Sequence, residues 1–281
     1  MSCGGNLPAR LAEVHWLGVE VPFRSWCNGR GGICRRRSCY AGLARLDCWI
    51  WRVVAMAAGA AMSIDDRIER AREVYERAVF SGDTSALIDA EQGLDGVEAD
   101  AVLARGLILH ARFQSASAGA GSLPAEDPAE LPLFERALEL YRALGDARGE
   151  AEALFWIGCL HQFVRRDNET AVPYLERSCL LAAQTGDKPT RSEALRHLGI
   201  AAHGAGRLDE ARERLEESSR LRREVGAMPG VASNMIGLAY IAAAQDRRAE
   251  ALATLDEAHA IASAHGAHAI VGHIEQARTQ I

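Results

Sequence analysis

A forty-residue period in the second half of the chain limits what it can fold into. Residues 173–186, 213–226 and 253–266 align without a gap. Their closing glycines, Gly186, Gly226 and Gly266, stand one such period apart, as do Leu175, Leu215 and Leu255, and Leu181, Leu221 and Ile261. A unit of this length cannot bury its apolar face alone; it buries it against the next copy, which makes a stack of repeats rather than one closed core.

Within each copy the apolar positions follow the 3.6-residue helical period. The spacing predicts helices over 149–164, 169–185, 190–205, 209–225, 230–244 and 249–265, paired as hairpins, with the second helix stopping at Gly186, Gly226 or Gly266. Residues 133–145 repeat the second-helix phrase and end on Gly145, so a further copy precedes these three. Its first helix is expected over 97–113. Between the two lies a Gly, Ser, Ala and Pro-rich stretch, 114–128, read as a loop that adds about eleven residues to the tip.

Further upstream, Ile64, Ile68, Ala71, Val74, Tyr75, Ala78 and Val79 mark a helix opened by Ser63 as N-cap and closed by Gly82. A shorter helix is expected over 84–92, stopped by Gly93. Residues 267–281 carry Ile270, Ile274 and Ala277 on one face, as a terminal helix covering the last hairpin would. The expected architecture is all-α, a repeat domain over 62–281 with repeats at about 97–148, 149–189, 190–229 and 230–266 and a capping helix at 267–281.

The first sixty-one residues differ in composition from all this. They hold eight Arg against three acidic residues, four of the five Trp and five of the seven Cys, so a chain of net charge −6 divides into +5 and −11 near Met62. Cys27, Cys34, Cys39 and Cys48 offer four thiolates, yet lack the paired short spacings of a zinc knuckle. Arg35-Arg36-Arg37 and the apolar residues 49–61 have the elements of a targeting signal, but Arg52 interrupts the run and it lies far from the chain start. It is also short of the ~20 apolar residues of a membrane helix. The segment reads as a disordered arm or, preferably, as a translated upstream region, with Met62 the true start. Only Cys159 and Cys179 then remain, as suits a reduced cytoplasm.

First helices carry Leu154, Ile157-Gly158 and His161; Leu195, Leu198-Gly199 and Ala202; and Met235, Ile236-Gly237 and Tyr240. Second helices carry Ala171, Leu175 and Ser178; Ala211, Leu215 and Ser218; and Ala251, Leu255 and Ala258. This pattern, with the turn Gly206-Arg207-Leu208-Asp209-Glu210-Ala211, resembles the tetratricopeptide repeat. The resemblance implies a right-handed superhelical solenoid of antiparallel helix hairpins, with Gly158, Gly199 and Gly237 allowing close helix approach. The period is longer than that family's usual one. In this it looks like the repeats of bacterial signalling proteins and of the sensor arms of actinobacterial transcription regulators.

The same resemblance places ligands, usually segments of other proteins, on a concave groove lined by first helices. Carried over, the groove positions are Glu152, Phe155, Cys159 and Gln162; Glu193, Arg196, Ile200 and His203; Val231, Asn234, Leu238 and Ile241; and, in the first repeat, Asp100, Leu103, Leu107 and His110. Apolar centres with polar edges suit a peptide or amphipathic helix. The clamp by which some relatives hold chaperone carboxylates is not matched, since Glu193 and Ile200 stand where Lys and Asn are needed.

Other classes find little purchase. The acidic balance argues against nucleic acid, and Arg212, Arg214, Arg220, Arg222 and Arg223 are interleaved with glutamates as on a solvated helix face. His259, His265, His268 and His273 cluster near the C-terminus without metal-ligand spacing. No catalytic motif and no cofactor loop is present. The chain is expected to be a non-catalytic scaffold binding protein or peptide, with a ligand-sensing arm in transcriptional control as the alternative and an enzyme the remote third reading.

Overall fold

The computed structural model describes residues 64–119 and 124–281. The expectations for Ser63 and for residues 1–61 lie outside the described residues. Those described fall into two compact units, residues 64–97 and residues 98–281. They form ten helices: α1 (Ile64–Ser81), α2 (Leu87–Gly119), α3 (Glu130–Leu144), α4 (Ala147–Cys159), α5 (Asn168–Gln184), α6 (Lys188–Gly204), α7 (Leu208–Glu224), α8 (Met228–Ala244), α9 (Arg248–Ala264) and α10 (His268–Gln280). No strand occurs among the described residues.

In the larger unit, α3 to α10 each pack on the next in sequence, and first helices also meet first helices, α4 on α6 and α6 on α8. This is an all-α helical repeat solenoid. Six predicted helices, from 149–164 to 249–265, match α4 to α9 within a residue or two at most ends. The turns repeat as faithfully as the helices. Gly186 and Gly226 take positive φ (70° and 75°), where a Cβ would be strained. Between the helices of each hairpin, Arg166, Gly206 and Asp246, again one period apart, share a left-handed conformation, with φ of 59°, 75° and 59°. The repeat thus imposes the conformation even where the residue is not glycine.

Packing between the helices of a hairpin is set by size complementarity. A Cβ on Gly158 would lie 2.8 Å from the Leu175 side chain, and one on Gly199 would lie 3.1 Å from Leu215. In the fourth repeat the counterpart is Ala239, which precedes Leu255 by the same interval as Gly199 precedes Leu215, and not Gly237. A second rule governs the joint between repeats. Tyr141 and Arg222 each face a glycine two turns on, Gly149 and Gly230, whose added Cβ would clash at 2.3 and 2.6 Å. At the same joint the alanines Ala182 and Ala262 are followed by the larger Thr190 and Ile270.

Two expectations fail near the first hairpin. The break at Gly93 does not occur, and the loop expected from Gln114 begins later, because α2 continues to Gly119. An interior glycine costs a helix only about 1 kcal/mol. Alternating Ser and Ala do not stop one either; Ser117 Oγ donates back to Phe113 O at 2.8 Å. The end of the loop is fastened by Glu126, which accepts from Arg165 Nε at 3.0 Å and Nη2 at 2.7 Å.

A single inserted residue is absorbed differently. Gly158 to Leu175 is one residue longer than Gly199 to Leu215. The extra residue forms a π-turn, Leu160–Val164, in which Arg165 N–H reaches back to Leu160 O at 3.2 Å. Such widened turns accommodate insertions without breaking a helix.

Candidate functional site

The residues expected to line a groove separate into a sealed set and an open set. In α4 and the π-turn after it, everything from Ala153 to Gln162 is buried, because neighbouring helices pack on all sides. Phe155, Cys159 and Gln162 are therefore interior groups, as are Leu103 and His110 of α2 and Arg196 of α6. They close the space between first helices rather than lining an accessible groove. Glu152, Glu193, Ile200, His203, Asp100 and Leu107 stay partly exposed.

The fourth repeat needs a larger correction. One period on from Glu193, Arg196, Ile200 and His203 stand Ser233, Ile236, Tyr240 and Ala243, whereas the expected set was Val231, Asn234, Leu238 and Ile241. A slip of two residues turns a helix by roughly 200°, so the expected set points into the stack. Val231, Asn234 and Ile241 are fully buried, and Leu238 packs on the cluster of Ala202, Ala211, Leu215 and Ile241. Tyr240 and Ala243 are the partly exposed members of the true line, and the Tyr240 hydroxyl donates to Gln280 Oε1 at 2.6 Å.

The sealed set is a polar and aromatic seam through three repeats. The His110 Nδ1–H donates to Glu130 Oε1 at 2.8 Å, and His110 Nε2 accepts from the Gln114 amide at 3.1 Å. Cys159 Sγ lies between two imidazoles, 3.9 Å from His110 Nε2 and 4.0 Å from His197 Nε2. The His197 Nδ1–H donates to Gln162 Oε1 at 2.8 Å, while the Gln162 amide donates to Asn168 Oδ1 at 2.9 Å and to His197 O at 3.1 Å. These directions follow from the carboxylate and amide oxygens, which can only accept. Phe155 meets Trp156 and His197 edge-on, at centroid distances of 4.9 and 5.1 Å.

Cys159, His110 and Glu130 stand in the order nucleophile, base, carboxylate. Burial defeats that chemistry. It pushes the Cys159 thiol well above its usual range, with Glu193 and Glu130 adding to the effect, and holds His197 well below the usual imidazole range, helped by Arg196 and Arg222. A thiol that remains protonated at neutral pH and is 3% exposed attacks nothing in solution. In the native chain at pH 8, Cys159 is expected to stay unmodified by iodoacetamide, as read by peptide mass spectrometry, and to be labelled only after unfolding. Native-state labelling of Cys159 ahead of the partly buried Cys179 would contradict this.

Three polar side chains escaped the groove pattern altogether. Arg222 on α7 pairs through Nη2 with Glu193 Oε2 at 2.6 Å and donates from Nη1 to Gly230 O at 2.6 Å. Ser218 and Ser219 accept from the Asn234 amide at 2.8 and 3.1 Å. Arg222 lies on a second helix, so a rule that looks for function on first helices passes over it.

Among the described residues, no group of three or more His, Cys, Asp or Glu is placed to hold a metal, and no helix is long and apolar enough to cross a membrane. Of the C-terminal histidines, His259 Nε2 approaches Glu275 at 3.7 Å, while His265 and His268 are exposed. A family model described as tetratricopeptide repeat matches residues 159–224. No curated protein matches the chain. The match and the consecutive hairpins together support a tetratricopeptide-type repeat protein.

Proposed function

We propose that the chain is a non-catalytic scaffold that binds a protein or peptide on the first helices of its third and fourth repeats. Repeats of this type generally mediate protein–protein interaction. The observation that carries the assignment is the contrast along the first-helix line. Cys159 and Gln162 are sealed, whereas their counterparts Ile200 and His203 in the third repeat and Tyr240 and Ala243 in the fourth remain partly exposed. Apolar Ile200 and Tyr240 flanked by Glu193 and His203 suit a side chain anchor with polar register. The cytoplasm is the compartment proposed, supported by Cys159 and Cys179 both being free thiols.

The test is site-directed photo-crosslinking in extract of the native host. A crosslinker at position 200 is expected to capture a discrete partner that one at Leu180, 49% exposed on a second helix, does not. Ile200→Glu with His203→Glu should abolish the capture and leave the far-UV circular dichroism unchanged. Equal capture from both positions, or capture indifferent to the double substitution, sinks the assignment.

A further inference from the structure

The first helices carry a carboxylate at one recurring position. Six residues before the small residue that meets the second helix stand Asp100, Glu152 and Glu193, in the first, second and third repeats, and Ser233 in the fourth. At the groove positions of the first two repeats, Asp100, Glu152 and Leu107 stay partly exposed while the others are sealed. Arg196, the one arginine or lysine at a groove position, is 2% exposed. Burial holds the His203 imidazole below its usual range, so it is neutral at pH 7. The accessible charge along the line is therefore negative.

The three carboxylates are not held alike. From the second helix, the Tyr141 hydroxyl donates to Asp100 Oδ1 at 2.9 Å, and Arg222 Nη2 pairs with Glu193 Oε2 at 2.6 Å. The residue at the same register in the second repeat is Ala182, which has no donor to offer Glu152. Glu152 has the Trp156 indole N–H, and its charged neighbours are the carboxylates of Asp187 and Asp100 and the guanidinium of Arg148; the Tyr141 hydroxyl also lies near. Arg148 is already engaged, its Nε donating to Asp187 Oδ2 at 3.1 Å. Burial first, and then the Asp187 charge, push the Glu152 carboxyl above the usual carboxylate range, and Arg148 offsets only part of this. A cation arriving from outside would supply at Glu152 what Arg222 supplies at Glu193.

We propose that this line is the docking edge for a basic peptide segment, whose lysine or arginine side chain pairs with Glu152 while apolar neighbours rest on Ile200 and Tyr240. The inference rests on the peptide-binding reading and names the partner's chemistry. Asp100 and Glu193, held by Tyr141 and Arg222, flank the contact and extend the negative field along the edge. A pair formed at a half-buried carboxylate is screened less than one on open surface, and the same field turns acidic segments away.

The experiment is selection from a random peptide library by the full chain, with the affinities of the winning peptides measured for wild type and Glu152→Gln. Wild type should select peptides enriched in Lys or Arg, and replacing that residue by norleucine should weaken binding about tenfold. Glu152→Gln keeps an oxygen for the Trp156 indole and removes the charge. It should bind the basic peptide about tenfold more weakly than wild type does, yet bind the norleucine peptide equally well. A Glu152 that serves only the fold would weaken both peptides alike. Because the substitution also removes the repulsion with Asp187, the variant should melt no lower than wild type. The wild-type comparison of basic and norleucine peptides tests the partner's charge whatever the variant's stability. Peptides selected without basic preference, a norleucine exchange without effect, or equal weakening of both peptides in Glu152→Gln overturns this inference and leaves the peptide-binding reading standing. If no peptide is selected, both fall together.

Discussion

Leu175→Ala is expected to lower the stability of the chain by about 3 kcal/mol. Leu175 is fully buried, and its Cγ and Cδ2 occupy the space that Gly158 leaves open on the facing helix. Truncation removes the transfer energy of the side chain and also leaves a cavity, because the two helix backbones are too stiff to close over it. Leu215→Ala against Gly199 should behave alike. Leu180→Ala, on the half-exposed side of α5, should cost less than about 1 kcal/mol. Urea denaturation followed by circular dichroism reads the difference as a shift in midpoint. Adding Gly158→Ala to Leu175→Ala should recover part of the loss, since a methyl then fills part of the void and an interior glycine is removed from α4. Equal midpoints for Leu175→Ala and Leu180→Ala would mean that the leucine–glycine pair does not govern the hairpin.

The frame of the fold was legible because packing and sequence share a period. Leu175, Leu215 and Leu255 recur once per repeat since each fills the same joint, and Gly186 and Gly226 recur because each reversal needs the same left-handed step. Where the chain departs from the period, sequence reading loses its guide. The residue added between Gly158 and Leu175 was countable, but its absorption as a π-turn depends on hydrogen bonding that spacing does not encode. Residues 114–119 resemble a linker in composition and are helical in fact, since a helix already running needs only residues that do not stop it.

The candidate site was less legible for a geometric reason. A first-helix position is exposed or sealed according to how closely the next first helix approaches, and that depends on neighbours a full repeat away in the chain. Phe155 is closed over by His197, and Cys159 by His110 and His197, none of which marks itself in the sequence as a lid. In α8 the error was one of register. Gly237 was aligned with Gly199, but Ala239 serves equally well as the small residue, and the false match turned the expected groove toward the core. What an aligned reading of the four repeats did hold was Arg196 at a position filled by Leu103, Phe155 and Ile236 in the other copies.

His110→Leu is expected to cost about 3–5 kcal/mol, the largest effect of any polar substitution in the chain. Glu130 is fully buried at the start of α3, its Oε1 accepts from His110, and its Oε2 has no hydrogen-bond partner. Removing the imidazole leaves the fully buried carboxyl group without that donor, which costs more than the net worth of the hydrogen bond lost. Replacing both partners should be far milder. His110→Leu with Glu130→Leu leaves an apolar joint of similar volume and should regain more than half of the loss. Because each repeat rests only on its neighbours, the damage should be local. Hydrogen exchange of His110→Leu is expected to show α2 and α3 losing protection while α8 and α9 keep theirs. A uniform loss of protection along all ten helices, or a double variant no more stable than the single, would place the energy of the seam elsewhere than in the His110–Glu130 pair.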